Sequence, residues 1–159
     1  MIHGGLPGYR PRMHVERTLT VPRPVEVVFD YLSDFTNTND WDPGTVQTRR
    51  TSGDGGVGTT YANTSEFMGR KVDLTYETIT FERPTKLQFR GTNKRATATD
   101  TMTFTRASDG TATEIHYRAD FDFGRLVNLV APLLVKPKLN RLADETVEQL
   151  RRTLANLTP

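Results

Sequence analysis

Thr113-Glu114-Ile115-His116-Tyr117-Arg118-Ala119-Asp120-Phe121-Asp122-Phe123 is followed, from Gly124, by GRLVNLVAPLLVKPKLNRLADETVEQLRRTLANLTP, and the change of period between these stretches decides the fold. In the first, Ile115, Tyr117, Ala119, Phe121 and Phe123 alternate with His116, Arg118, Asp120 and Asp122, the two-residue period of a strand with one apolar face. In the second, Leu126, Val130, Leu133, Leu134, Leu139, Leu142, Val147, Leu150, Leu154 and Leu157 recur mostly three or four apart, the period of an amphipathic helix. Pro132 and Pro137 each remove an intrahelical hydrogen bond, so the regular helix is predicted from near Lys138 to about Asn156.

Upstream, the strand period repeats over Val46–Thr51, Thr59–Phe67, Lys71–Phe81, Lys86–Gly91 and Ala96–Thr105. The separators, Gly53 to Gly58, Met68-Gly69, Arg83-Pro84, Asn93-Lys94 and Asp109-Gly110, are short and turn-like, which predicts antiparallel hairpins. A first strand after Met13 puts Val15, Leu19 and Val21 on one face, with Arg17 out of pattern. Pro22 and Pro24 end it and open a short helix, Val25 to Ser33, that aligns Val25, Val28, Phe29 and Leu32. Phe35 to Trp41 reads as a second helical turn or a loop, ended by Pro43-Gly44. The simplest way to bury these faces together is an α+β fold, a seven-stranded curved antiparallel sheet wrapped around the long C-terminal helix.

With 159 residues the chain holds one domain, taken as residues 13–159 behind a flexible extension over 1–12. Hydrophobic residues at 35% and charged residues at 25% describe a folded globular chain rather than a disordered one. The formal charge of +2 comes without a block of Lys or Arg, which argues against nucleic acid as a partner. There is no cysteine, hence no disulfide framework and no thiolate zinc site, and His3, His14 and His116 lack metal-ligand spacing. No cofactor is therefore expected. Gly53, Gly55 and Gly58 have the spacing of a dinucleotide loop but precede a strand, where no helix N-terminus receives a pyrophosphate, so they read as a hairpin turn. The apolar stretch Leu126–Val135 is far shorter than the roughly 20 residues that span a bilayer, and it reads as a cap on the interior. Without a signal-like segment at its start, the chain reads as cytoplasmic. Oligomeric state is left open.

Several segments carry a family likeness: Pro24-Val25-Glu26-Val27-Val28-Phe29-Asp30-Tyr31-Leu32, then Asp34-Phe35, Trp41-Asp42-Pro43, the Glu82-Arg83-Pro84 turn and the leucine-rich last helix. On these, from Met13 to about Ala155, the chain resembles the START-like superfamily of polyketide cyclases, dehydrases and lipid-transport proteins, the SRPBCC or helix-grip type. The resemblance implies a pocket between sheet and helix. Members include enzymes, carriers and sensors, so fold alone does not fix the chemistry.

Strand parity selects the side chains that face such a pocket: Tyr117 and Phe121 on the last strand, Ala98, Asp100, Met102 and Phe104 on the one before, then Leu87 with Phe89 and Leu74 with Tyr76. Trp41, Tyr61, Asn63, Phe67 and Leu133 complete the candidate ligand-binding set. Asp100 is the sharpest of these, because a carboxyl among Ala98, Met102 and Phe104 is desolvated and retains its proton toward neutral pH, with Tyr117 or Tyr76 as partner. Three readings follow. The chain carries or senses a hydrophobic small molecule such as a lipid or polyketide. Alternatively it is a polyketide cyclase or dehydratase using Asp100 and a tyrosine as acid and base. The third is a module that acts through its surface on a macromolecular partner.

Overall fold

A computed structural model describes residues 13–124 and 133–157. The extension expected over residues 1–12 lies outside them, as does the expected cap except for Leu133, Leu134 and Val135.

The chain begins with β1 (Met13–Val21), then α1 (Val25–Ser33), a 3-10 turn (Phe35–Asn37) and the single-turn helix α2 (Thr38–Trp41). Six strands follow: β2 (Thr45–Ser52), β3 (Thr60–Phe67), β4 (Arg70–Glu82), β5 (Lys86–Thr92), β6 (Thr97–Ala107) and β7 (Ala112–Asp122). The last element is α3 (Lys136–Ala155). The strands form one seven-stranded sheet in the order β1-β7-β6-β5-β4-β3-β2. From β2 to β7 every neighbour in the sheet is the neighbour in sequence, as the short hairpin separators require, and β1 closes the order by pairing antiparallel with β7.

Register fixes which side chains share the inner face. Asp100 lies opposite Ala119, Met102 opposite Tyr117 and Phe104 opposite Ile115, so the apolar sets of β6 and β7 meet on one side. In β4 the register shifts between Thr78 and Thr80. This bulge reverses the parity, so that Tyr76 before it and Phe81 after it both turn inward. Phe81 thereby reaches Phe29 of α1, with ring centroids 5.1 Å apart and nearly perpendicular planes.

The concave face is covered in two halves. Val28, Phe29 and Leu32 of α1 and Phe35 of the 3-10 turn pack on Tyr61, Leu87, Phe89, Met102 and Phe104, joined by Leu150 and Leu154 from the C-terminal half of α3. A second cluster joins Met13, Val15 and Ala119 to Leu139 and Ala143 from the N-terminal half of α3. Arg17, out of pattern in the sequence, is the polar clasp of this arrangement. Its guanidinium donates to Asp144 Oδ1 at 2.9 Å and to the Asn140 carbonyl at 3.3 Å, tying β1 to α3.

Helix α3 starts two residues earlier than the periodicity suggested. Pro137 stands in its first turn, where the missing N–H has no intrahelical acceptor, so it opens the helix rather than breaking it. Leu150 is fully buried, whereas Leu142 is only half-buried. Leu150→Ala is expected to lower the unfolding free energy by about 2–5 kcal/mol, and Leu142→Ala by clearly less. Urea denaturation of both variants checks this; equal losses would place the two leucines in the same environment.

Candidate functional site

The two halves of the cover do not meet everywhere, and between them a cavity of about 150 Å³ remains. Its walls come from β1 (Val15), β3 (Ser65, Phe67), β4 (Val72, Leu74, Tyr76), β6 (Ala98, Asp100) and β7 (Tyr117, Ala119, Phe121). Leu139, Leu142, Ala143 and Thr146 of α3 roof it, and Asp42 and Gly44 enter from the turn after α2.

Of the candidate residues, Phe67, Leu74, Tyr76, Ala98, Asp100, Tyr117 and Phe121 line this space. The others are not among its walls. Trp41, Tyr61, Phe89, Met102 and Phe104 are buried in the cluster that α1 and the 3-10 turn cover. Phe35, for instance, fills the space over Phe89 with its ring centroid 4.6 Å away. The polar groups of Asn63 are spent within the fold: its amide donates to Thr48 Oγ1 at 2.8 Å and its carbonyl oxygen accepts from the Ser65 hydroxyl at 2.7 Å. Leu133 stands just before α3 with 84% of its surface exposed. Parity put Phe89, Met102 and Phe104 on the correct face, but it could not say which half of that face a short helix would occupy.

Asp100 is the chemical centre of the cavity. It is 9% exposed, and Tyr117 donates its hydroxyl to Oδ1 at 2.7 Å. Burial raises its pKa to about 7; the hydrogen bond from Tyr117 opposes the rise, while the charges of Asp42 and Asp120 add to it. Tyr117 is held in turn by an edge-on contact with Trp41, ring centroids 6.2 Å apart. Burial and the neighbouring carboxylates push the pKa values of Tyr76 and Tyr117 well above the phenol range, so both keep their protons. On the opposite face of β7, Arg118 grips Asp120 with two hydrogen bonds of 3.0 Å, as the alternation of this strand predicts.

Asp42 was not singled out from the sequence as a site residue. It lies in Trp41-Asp42-Pro43-Gly44, a turn signal, where a carboxyl ordinarily caps its own backbone. Here it does so, accepting from Gly44 N–H at 2.9 Å and Thr45 Oγ1 at 3.0 Å, and it also borders the cavity. Burial raises its pKa against the pull of these two hydrogen bonds. Gly91 supports the site from behind: a Cβ there would lie 2.5 Å from Cζ of Tyr76, so the ring packs flat against the backbone.

The chain belongs to the polyketide cyclase / dehydrase and lipid transport family, whose model matches residues 12–155. No curated protein matches it in sequence. Solved structures share its fold at low identity. A protein of Thermus thermophilus superposes with a TM-score of 0.74 at 14% identity, over 89% of this chain and 97% of the other. The Zhui aromatase/cyclase from a Streptomyces species gives 0.63 at 18% identity, over 91% and 90%. A START superfamily protein from Mycobacterium smegmatis gives 0.65 at 15% identity, over 89% and 94%. Membership of this family implies binding of a hydrophobic ligand. Among the described residues, no helix is long and apolar enough to cross a membrane.

Two predictions follow from this geometry. The folded chain holds the Asp100 proton up to about pH 7, whereas the unfolded chain releases it near the ordinary value of 3.8. Unfolding inside this window therefore releases a proton, and stability falls as pH rises. Asp100→Asn retains the acceptor for Tyr117 and abolishes the titration. Its stability relative to the parent is expected to climb from about pH 4 to about pH 7, by up to about 1.4 kcal/mol per pH unit, and to level off above. Denaturation curves across this range that stay parallel would place Asp100 in water. Gly91→Ala is expected to cost about 1–3 kcal/mol by driving the Tyr76 ring off the sheet, a loss that Tyr76→Ala made together with it should relieve.

Proposed function

We propose that the chain binds an apolar small molecule in the cavity between the sheet and α3, as a carrier or sensor, with Asp100 and Tyr117 orienting it. The observation that supports this most is the cavity itself. Phe67, Leu74, Phe121, Leu139 and Leu142 offer it an apolar wall, and burying a ligand against such a wall supplies affinity at about 25 cal/mol per Å² of apolar surface. Its volume of about 150 Å³ suits one aromatic ring or the end of a longer apolar chain.

A second reading, acid–base conversion of a polyketide-like substrate, is favoured by one specific feature. A carboxyl whose pKa is near 7 exists in both protonation states at neutral pH, and its Tyr117 partner keeps it oriented. In this reading Asp100 takes a proton from carbon or gives one to a leaving hydroxyl, and the dry walls hold the chain folded for reaction.

Mass spectrometry of small molecules released from the natively purified protein, followed by incubation of the compound with fresh protein, separates the two. Carriage predicts that the compound is recovered unchanged and that Asp100→Asn keeps most of the affinity. Conversion predicts a product, and a rate lowered about 100-fold or more in Asp100→Asn with binding retained. Absence of any bound or bindable apolar compound would contradict both.

A further inference from the structure

The polar groups on the cavity wall are strongly biased in sign. Three acidic residues border it, Asp42, Asp100 and the exposed Glu66, and no Lys, Arg or His is present among the described lining residues. The charge of Asp42 helps to raise the pKa of Asp100, and both carboxyls also act on the tyrosines Tyr76 and Tyr117. Yet the protein leaves part of this set unused. Asp100 accepts its hydrogen bond at Oδ1 from Tyr117, which leaves Oδ2 without a partner among the described residues. Tyr76 is 7% exposed and makes no hydrogen bond through its hydroxyl among the described residues, although that side chain borders the cavity. Buried polar groups are ordinarily paired, and an isolated carboxylate is costly to keep in an apolar setting. Of the other hydroxyls of the wall, Ser65 donates to Asn63 Oδ1 at 2.7 Å and Thr146 to the Leu142 carbonyl at 2.8 Å, while that of Thr97 makes no side-chain hydrogen bond among the described residues.

From this we infer that the cavity selects an apolar molecule whose polar end is a protonated amine, held by Asp100 and Asp42 with the Tyr76 hydroxyl as a third acceptor. An ammonium group carries donors and no acceptor, which matches a wall rich in acceptors and poor in cations. Charge-assisted hydrogen bonds to a carboxylate are about twice as strong as neutral ones. A carboxylate or sulfonate ligand would meet like charge in a low-dielectric space and be rejected. The inference rests on the cavity being the ligand site.

Three probes of nearly one shape and different charge test it: benzylamine, benzyl alcohol and benzoate. Each is titrated into the full chain at about pH 8, above the Asp100 midpoint of about 7, and the shifts of the Tyr76, Tyr117 and Phe121 ring resonances are followed by NMR. The expected order is amine, then alcohol about tenfold weaker, then benzoate weakest. Asp100→Asn combined with Asp42→Asn should lower amine affinity toward that of the alcohol, and the dispersion of its amide resonances reports whether the variant is folded. If alcohol binds and amine binds no tighter, or benzoate binds best, the inference about the head group is overturned while the cavity remains the ligand site. If none of the three moves the cavity resonances, both the head-group inference and the proposed function are overturned. The comparison among probes on the parent chain decides the matter even if the double variant does not fold.

Discussion

One long helix must cover the concave face of a seven-stranded sheet, and it is too narrow to do so alone. The rest of the structure follows from that constraint. Helix α1 and the turn that carries Phe35 fill the part of the sheet near Phe89 and Phe104. The C-terminal half of α3 completes this dry core through Leu150 and Leu154. Over the remaining part only the N-terminal half of α3 is available, and its facing residues are smaller or set apart: Leu139, Leu142, Ala143 and Thr146. Native interiors are packed to crystal-like density, so space left unfilled in this way is a departure that calls for an occupant.

The division also explains why one polar residue matters more than its neighbours. Asp100 shares its strand face with Ala98, Met102 and Phe104, but only the Ala98 side of it borders the cavity; Met102 and Phe104 continue into the packed core. The carboxyl thus stands at the boundary, desolvated by the core and reachable from the cavity. Tyr117 fixes its orientation, and Trp41, itself buried, fixes Tyr117. A water-exposed carboxyl would gain nothing from this chain of contacts. A carboxyl sealed in the core would have no ligand to meet.

Much of this was legible in the residues. The alternation of Ile115, Tyr117, Ala119 and Phe121 and the leucine period of the last helix specify a one-faced sheet and a covering helix, and the turn residues between strands specify its hairpin order. The inward position of Asp100 follows from the same parity. What parity cannot supply is position along a face. Trp41, Tyr61, Phe89, Met102 and Phe104 have the composition of a ligand wall and stand instead in the core, because α1 packs over them. The bulge in β4 is invisible in a sequence whose Thr78, Ile79 and Thr80 fit either phase. Asp42 was hidden by its turn chemistry, which accounts for the residue fully until the turn is seen to border the cavity.

The account stands on a carboxyl kept out of water at the edge of an apolar cavity. The most direct measurement is the side-chain carboxyl ¹³C shift of Asp100 followed through a pH titration of the free protein. A midpoint near 7 is the predicted result. A midpoint near the ordinary value of 3.8 would contradict it, since the carboxyl would then be hydrated and the space around it not an apolar cavity.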